Sequence, residues 1–382
     1  MADTARKTSI ATPAPRRPAL LVCAAFALVT MCVVARGADS GLRFRGSMYA
    51  DLGAIHTVRE GVSDDLDFNG VSRFSLDMES VGRRHGKVEG LLDLVMPYGV
   101  AAARFTDAAG ELADSASGGM WELLSAGGAP VLVDLRKLYL SIYLPFADIT
   151  MGRRIVNFGK GMVFSPIDVF STVEVLDITF RRRGSDIVNA RIPLGPLSGL
   201  DLTAGLPGLD NSYAAAARAF AVLGGWDISA VAMYRDAGES MREDKVSGGV
   251  SAKGDIEIGV YGEMVGHHGL DSRENAVEVM AGADYSLRRE WFFTVEYLYR
   301  DPVPQDELWG THNAFGSLRY VINDLMNVSI SAIAASEPDA VIGSLQYFYN
   351  VLQNVDVTLY VQGVDNAAGT YVNYAVRSEV KF

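Results

Sequence analysis

Charged side chains of both signs gather between Gly152 and Gly184, and they are the residues best placed to act on a solute. Opposite charges held across a narrow aqueous gap create a transverse field that orders water and sorts solutes by charge and dipole. The alternative is that several of them pair with each other or point into solvent, as charge runs usually do. We expect cations on one side of such a gap and acids opposite: Arg154, Lys160, Arg181 and Arg182 against Asp168, Glu174 and Asp177.

Metal chemistry has weaker support. Asp65-x-Asp67-x-Asn69-Gly70 matches the opening of a calcium-binding loop, but Leu76 occupies the twelfth position, where a bidentate Glu is needed. Weak binding of divalent ions by an acidic loop is the better interpretation. His267 and His268 are neighbours, and adjacent side chains of an extended chain point apart. We predict neither a metal site nor a cofactor.

Catalysis is not favoured either. The chain contains five His residues, and we expect no Ser–His–acid grouping across neighbouring strands at the outer rim. The prediction is therefore a protein that is not an enzyme.

Apolar and polar residues alternate over much of the chain, which is the pattern of β-strands with two different faces. The runs are close to the roughly 9–11 residues that cross a bilayer as a tilted strand. Many polar positions carry full charges, which suits a wet lumen better than the rim of a soluble core. The outward apolar set is predicted to include Phe44, Leu76, Ile258 and Val357.

The connections between these runs alternate in length. Short ones such as Gly224-Gly225 and Asn323-Asp324 lie between longer polar ones such as 60–66 and 267–275. Short turns at one end and longer loops at the other are typical of a membrane barrel, and the rhythm predicts about 18 strands. Sixteen is the alternative, because the runs at 184–206 and 214–223 are weak.

Two connections are too long to be simple turns. Residues 100–129 are predicted to form an outer loop with little fixed structure, within which 120–124 is a candidate short helical turn. Residues 159–184, by count the third outer loop, mix apolar side chains such as Phe164 and Phe170 with charged ones. Because an amphipathic segment is poorly suited to water on all sides, we expect it to pack against the inner wall of the barrel.

The first 37 residues have the pattern of a secretory signal peptide. Arg6, Lys7, Arg16 and Arg17 form a basic leader before an apolar segment at 19–35, and Ala35-Arg36-Gly37 supplies small residues for signal peptidase. An inner-membrane anchor is the alternative. We predict a cleaved signal at 1–37 and one barrel domain at 38–382.

The chain of 382 residues carries a formal charge of −12 at pH 7. The signal segment has five basic residues and Asp3, a net of +4, so the remainder carries −16. This acidity argues against nucleic acid as a partner and favours a mild preference for cations. Both cysteines, Cys23 and Cys32, lie in the signal segment, so the exported chain is predicted to lack disulfides and thiolate metal sites.

The last dozen residues alternate most clearly. Tyr374 and Val376 share one face, Arg377 and Glu379 the other, and the chain stops at Phe382. This terminus resembles the assembly signal of bacterial outer-membrane barrels. The resemblance implies an outer-membrane location, membrane lipid as the surroundings, and the barrel-assembly machinery as a partner for the strand that ends in Phe382.

A second resemblance covers residues 151–184. Met151-Gly152-Arg153-Arg154 leads to Phe158-Gly159-Lys160-Gly161, then to Ser165-Pro166-Ile167-Asp168, and finally to Arg181-Arg182-Arg183-Gly184. This succession resembles a porin-like family of diderm outer-membrane barrels, whose members commonly carry Trp where this chain has Phe158. The resemblance implies a channel whose third loop folds into the lumen and narrows it.

These features predict an all-β, transmembrane antiparallel up-and-down barrel through which small hydrophilic solutes cross the bacterial outer membrane passively. One alternative is a surface-exposed structural or adhesion barrel with an occluded lumen; another is a soluble periplasmic β protein. The sequence leaves open whether copies form a homo-oligomer. It also leaves open which of Arg153 and Arg154 faces inward, because the alternation slips around Gly152.

Overall fold

The computed structural model describes residues 41–58, 65–80, 85–102, 120–126, 129–207, 212–237, 243–302, 309–337, 339–366 and 369–382. The predicted signal segment, residues 1–37, lies outside these ranges. No helix within them is long and apolar enough to cross a membrane.

The described residues form nineteen β-strands in one antiparallel sheet that closes on itself. The strands are β1 (Leu42–Val58), β2 (Asp65–Ser80), β3 (Gly86–Gly99), β4 (Met120–Ala126), β5 (Ala129–Tyr143), β6 (Asp148–Arg154), β7 (Ser185–Gly195), β8 (Ser198–Leu206), β9 (Ala214–Leu223), β10 (Trp226–Arg235), β11 (Lys245–Asp255), β12 (Gly259–Gly269), β13 (Asn275–Leu287), β14 (Trp291–Asp301), β15 (His312–Asn323), β16 (Met326–Ser336), β17 (Ala340–Leu352), β18 (Val355–Asn366) and β19 (Gly369–Lys381).

Eighteen of these strands form the ring. Each neighbours the next along the chain, and β1 completes the circle by pairing with both β2 and β19. The prediction of about 18 strands is confirmed, since β7, β8 and β9 pair as consecutive strands where the sequence pattern was weak.

The remaining strand, β4, corrects a prediction. Residues 120–126 are a strand rather than a helical turn within a loop: Met120 lies opposite Asp134, and Ala126 lies opposite Ala129. On that edge of β5, β6 pairs only from Leu138 to Tyr143. The first half of β5 would otherwise keep unpaired N–H and C=O groups, and β4 pairs with them.

Alternation gives the wall two chemically different faces. On β1, Phe44 and Leu52 point outward and are exposed, whereas Asp51 points into the barrel and is 6% exposed. On β19, Tyr374 and Val376 are likewise outward and exposed. An apolar outer face with a polar inner face is the reverse of a soluble protein and is what lipid on the outside requires.

The predicted outward residues agree with this arrangement in three cases and differ in one. Leu76 lies opposite Gly46 on the outward face that Phe44 shares, and Val357 shares the outward face of β18 with the exposed Leu359. Ile258 is exposed, but it lies in the turn between β11 and β12 rather than in a strand.

The connection between β6 and β7, residues 155–184, turns into the barrel, and we call it the inner loop. The apolar core of the molecule lies between this loop and the inward face of the wall.

Candidate functional site

Two apolar clusters attach the inner loop to the wall. The first joins it to β7, β9, β10 and β12, through Phe158, Ile167 and Phe170 with Ile187, Ala214, Ala216, Val231, Met233 and Val265. The second joins Val163, Phe164 and Val175 to one inward residue from each strand from β12 to β18. Apolar side chains on an inward face would otherwise meet water, so their positions show where the loop packs.

Glu296 of β14 binds the backbone of the inner loop. Its carboxylate accepts three consecutive N–H groups, from Met162, from Val163 at 3.0 Å and from Phe164 at 2.9 Å, together with the Tyr261 hydroxyl at 2.8 Å. The Glu296 residue is 3% exposed. A buried carboxylate is costly unless its oxygens are satisfied, and here the loop supplies the donors.

Glu263 of β12 binds the preceding and following parts of the loop. Its carboxylate accepts the N–H groups of Lys160, of Gly161 at 3.1 Å and of Ile167 at 3.3 Å, and the Ser165 hydroxyl at 2.9 Å. At Gly161 a Cβ atom would lie 1.8 Å from the carbonyl oxygen of Phe164, so the tight turn that presents these N–H groups requires glycine.

Asp168 and Arg182, two of the predicted gap residues, bind each other within the loop. Arg182 Nη1 lies 2.6 Å from Asp168 Oδ2, and Arg182 Nη2 donates to the carbonyl oxygen of Gly161 at 3.1 Å. Asp168 Oδ1 accepts the N–H groups of Phe158 and Gly159. Because the Asp168 side chain is only 2% exposed, this pair holds the shape of the loop.

Arg181 and Glu174 reach from the loop to the wall on its other side. Arg181 Nη2 lies 3.0 Å from Asp93 Oδ2 on β3, and Glu174 Oε1 lies 3.2 Å from Arg136 Nη1 on β5. We call these two ion pairs the cross-lumen bridges. Burial favours the neutral acid, but the Arg136 and Arg183 guanidiniums outweigh it and hold the pKa of Glu174 below its ordinary value of 4.5.

The other predicted residues lie apart from the bridges. Lys160 Nζ pairs with Asp227 of β10. Asp177 Oδ1 accepts the N–H group of Thr179 at 2.8 Å, within an exposed turn of the loop. The Arg154 guanidinium lies 5.5 Å from the centre of the inward Tyr139 ring, so Arg154 faces the lumen.

The pairing of β6 with β7 resolves the ambiguity between Arg153 and Arg154. Gly152 has a φ of +116°, which is open to glycine and strained for other residues, but the register runs through it without a shift and the alternation of faces continues. Arg153 therefore shares a face with Asp186 and forms a two-pronged ion pair with it, with a shortest distance of 2.6 Å. Asp186 is on the outward side of β7, the side of the exposed Val188.

Sequence patterns missed a charged group on the wall that faces the loop. Arg377 of β19 makes a two-pronged ion pair with Asp51 of β1 at 2.7 and 2.8 Å and lies 4.2 Å above the centre of the Tyr49 ring. Tyr360 of β18 donates to Asp51 at 3.2 Å. Alternation predicts that each of these side chains points inward. Their contact, however, depends on the pairing of β1 with β19.

Ser247, His267 and Glu278 line up on the inward faces of β11, β12 and β13, which corrects the expectation that no Ser–His–acid grouping would form. Ser247 Oγ lies 2.7 Å from His267 Nδ1, and His267 Nε2 lies 3.5 Å from Glu278 Oε1. Acyl transfer also needs N–H donors aimed at a developing oxyanion. The residues around Ser247 are instead paired with β10 and β12 in the ladder.

The residues considered for metal binding are not brought together. His268 lies 2.9 Å from Asn275, and Asn69 lies 3.2 Å from Asn373. Among the residues that the structure describes, no group of three or more His, Cys, Asp or Glu side chains is arranged to hold a metal ion.

No family model matches this chain, and no curated protein matches it in sequence. Solved structures match its fold. The outer membrane protein OpdK from Pseudomonas aeruginosa is similar with a TM-score of 0.56 at 8% identity, over 89% of this chain and 98% of that chain. OpdQ of Pseudomonas aeruginosa gives 0.55 at 10% identity, over 90% and 98% of the two chains. OccAB4 of Acinetobacter baumannii gives 0.53 at 5% identity, over 89% and 98%. At these identities the likeness concerns the fold, and the fold is a closed antiparallel β-barrel of eighteen strands.

Proposed function

We propose that this chain is a channel of the bacterial outer membrane through which small hydrophilic solutes diffuse passively. The observation that carries the proposal is a barrel with an apolar outside and a charged inside, narrowed by the inner loop. A barrel surrounded by lipid needs an apolar outside, and a water-filled passage needs a charged inside. The fold shared with OpdK, an outer membrane protein, supports the location.

The narrowest part of the path is proposed to lie between the inner loop and the β3–β5 side of the wall. Arg181 and Glu174 act there through the cross-lumen bridges. Arg154 and Asp177 complete the lining of the path. The other predicted residues, Lys160, Asp168 and Arg182, hold the loop in place.

Conductance in planar lipid bilayers tests the proposal. Purified, folded protein should produce discrete current steps in salt solution, and liposomes that contain it should swell in small sugars faster than empty ones. Folded protein that inserts into the bilayer and never conducts would contradict passive diffusion.

The cross-lumen bridges also support a second candidate, a surface structural or adhesion barrel with an occluded lumen. Current measured with and without the cross-lumen bridges distinguishes the two candidate functions. Current in the unaltered protein supports the channel, whereas current only after Asp93→Asn together with Glu174→Gln supports the occluded barrel.

Charges of both signs pair along the proposed path, so the acidic balance of the exported chain should produce only a mild preference for cations. Reversal potentials measured across a gradient of KCl give the permeability ratio directly. A strong preference for anions would contradict this expectation.

Export and assembly complete the proposal. Removal of residues 1–37 would leave an N-terminus at Ala38, which mass spectrometry of the protein from outer membranes can identify. Recognition of β19 by the barrel-assembly machinery should make assembly slower when Phe382 is deleted, and cross-linking in membranes would reveal a homo-oligomer. The chain is proposed not to be an enzyme, and labelling of Ser247 by a fluorophosphonate would contradict that.

A further inference from the structure

A polar cleft of about 190 Å³ opens on the inward face of β1, β2, β3 and β5, near the turn end of the barrel. It is smaller than the roughly 300–1,000 Å³ of sites for drug-sized ligands, so its occupant must be small. Three cations and three carboxylates line it, and their charges cancel: Arg45, Lys87 and Lys137 with Asp77, Glu79 and Glu89.

The inner part of the cleft is a fixed ion-pair network. Glu79 and Glu89 lie directly opposite each other on β2 and β3, an arrangement of like charges that would repel. Lys87 relieves the repulsion, because its Nζ lies 2.8 Å from Glu79 Oε1 and also contacts Glu89. Arg45 Nη2 lies 3.4 Å from Glu79 Oε2, so Lys87 and Arg45 together balance the two carboxylates and leave Asp77 and Lys137 to a ligand.

The outer part presents one acid and one base on either side of an apolar residue. Asp77 lies opposite Leu91, and Leu91 lies opposite Lys137. Asp77 and Lys137 are therefore two strand spacings apart, about 10 Å between their backbones, with Leu91 as the floor between them. The Asp77 side chain is 47% exposed, and its neighbour Arg45, at 3.7 Å, is 62% exposed, so solvent and solute reach both.

We propose that this cleft binds small zwitterions whose opposite charges are separated by a short apolar spacer. The ammonium group of the solute pairs with Asp77, the spacer lies over Leu91, and the carboxylate pairs with Lys137. A solute with one charge meets an equal number of like charges, so it gains less. The inference rests on the proposed function, since it assigns a solute class to the same passage.

Saturation-transfer NMR with folded protein in detergent tests binding without any need for conduction. The probe is 4-aminobutyrate, and butyrate and butylammonium are the singly charged comparators. We expect a signal for the zwitterion at least fivefold stronger than for either comparator. Asp77→Asn or Lys137→Gln should remove that difference.

Asp284→Asn and Lys253→Gln are matched controls. This pair, 3.0 Å apart and 45% and 44% exposed, lies on the inward face of β13 and β11, outside the cleft. Both control variants should bind the zwitterion as the unaltered protein does. Equal signals from all three solutes, or an equal loss in the control variants, would overturn the inference.

Single-channel current in the same solutes separates the two proposals. If the barrel conducts but its current does not distinguish the zwitterion, the binding proposal is contradicted and the channel proposal stands. If the barrel binds the zwitterion but never conducts, the channel proposal is contradicted and the binding proposal stands.

Discussion

Glu263 and Glu296 satisfy the backbone of the inner loop much as neighbouring strands would satisfy that of a β-strand. Each is the single carboxylate in the inward row of its strand, with at least one apolar neighbour in that row, such as Tyr261 and Val265 on either side of Glu263. That isolation is a signal that a sequence offers. The partners are not readable from it, because Lys160 is 103 positions away from Glu263.

Replacement of Glu296 by Gln should loosen the loop. An amide has one accepting oxygen. Its NH2 group would face either the N–H group of Met162 and the Tyr261 hydroxyl, or the N–H groups of Val163 and Phe164. Loss of hydrogen bonds to a charged group costs about 1.5–3 kcal/mol each. Hydrogen exchange of these three amides should therefore be at least tenfold faster.

The matched control for this variant is Glu257→Gln, which makes the same chemical change in the exposed turn between β11 and β12. It should leave exchange in the inner loop unchanged. Equal protection of residues 162–164 in Glu296→Gln and in the unaltered protein would show that the apolar clusters hold the loop without the carboxylate.

At the scale of elements, the inner loop is held on both sides by different forces. Apolar packing attaches it to β7, β9, β10 and the strands from β12 to β18, whereas the cross-lumen bridges attach it to β3 and β5. The two attachments should respond differently to charge and pH.

Asp93→Asn should release the loop from β3. It leaves Arg181 facing Arg73, whose Nη1 also lies 3.7 Å from Asp93 Oδ2, without a compensating charge. Breaking one side of a buried ion pair costs about 3–5 kcal/mol, so Arg181 should move away and the single-channel conductance should rise. Asp284→Asn, which breaks an ion pair between two wall strands, should leave the conductance nearly unchanged.

The bridge through Glu174 should withstand mild acid. A carboxyl group whose pKa is lowered by folding contributes stability that is complete above its unfolded pKa and lost as the pH falls through the folded value. Since folding lowers the pKa of Glu174 from its ordinary value of 4.5, conductance should stay constant from pH 7 to 5 and rise only once the pH has fallen below that ordinary value. Glu174→Gln should conduct at neutral pH as the acidified protein does; a rise that begins near pH 6 would contradict this assignment.

The elements themselves show how far sequence reasoning extends. Alternation with period two is local, so β1 and β19 could be predicted from their own residues. β4 could not, because it forms only where β5 extends beyond β6. Arg153 and Arg154 could not be oriented either, since only the pairing of β6 with β5 and β7 shows that the alternation continues through Gly152. The charged residues of the inner loop could be named from the sequence, but their partners on β3, β5 and β10 could not.

At the scale of the whole molecule, the inverted arrangement of faces predicts that the same substitution has unequal effects on stability at neighbouring positions. Ile330 and Ser329 are adjacent on β16, and Ile330 points outward and is 51% exposed. Lys at an outward position near the middle of the membrane costs about 2–4 kcal/mol. The free energy of unfolding in lipid vesicles should fall by that amount for Ile330→Lys and by much less for Ser329→Lys. Equal losses in the two variants would mean that lipid does not cover the outer face.

The contact between β1 and β19 places the earliest and latest strands of the ring side by side. Phe382 and Gly46 exchange backbone hydrogen bonds at 2.8 and 2.9 Å, and Arg377 reaches Asp51 from within. Before β19 pairs with β1, one edge of β1 is unpaired. The sheet is then open, and strands of other chains can hydrogen-bond to that edge. Translocation that stops before β19 would therefore leave an aggregation-prone intermediate, which chaperones must bind or proteases must degrade.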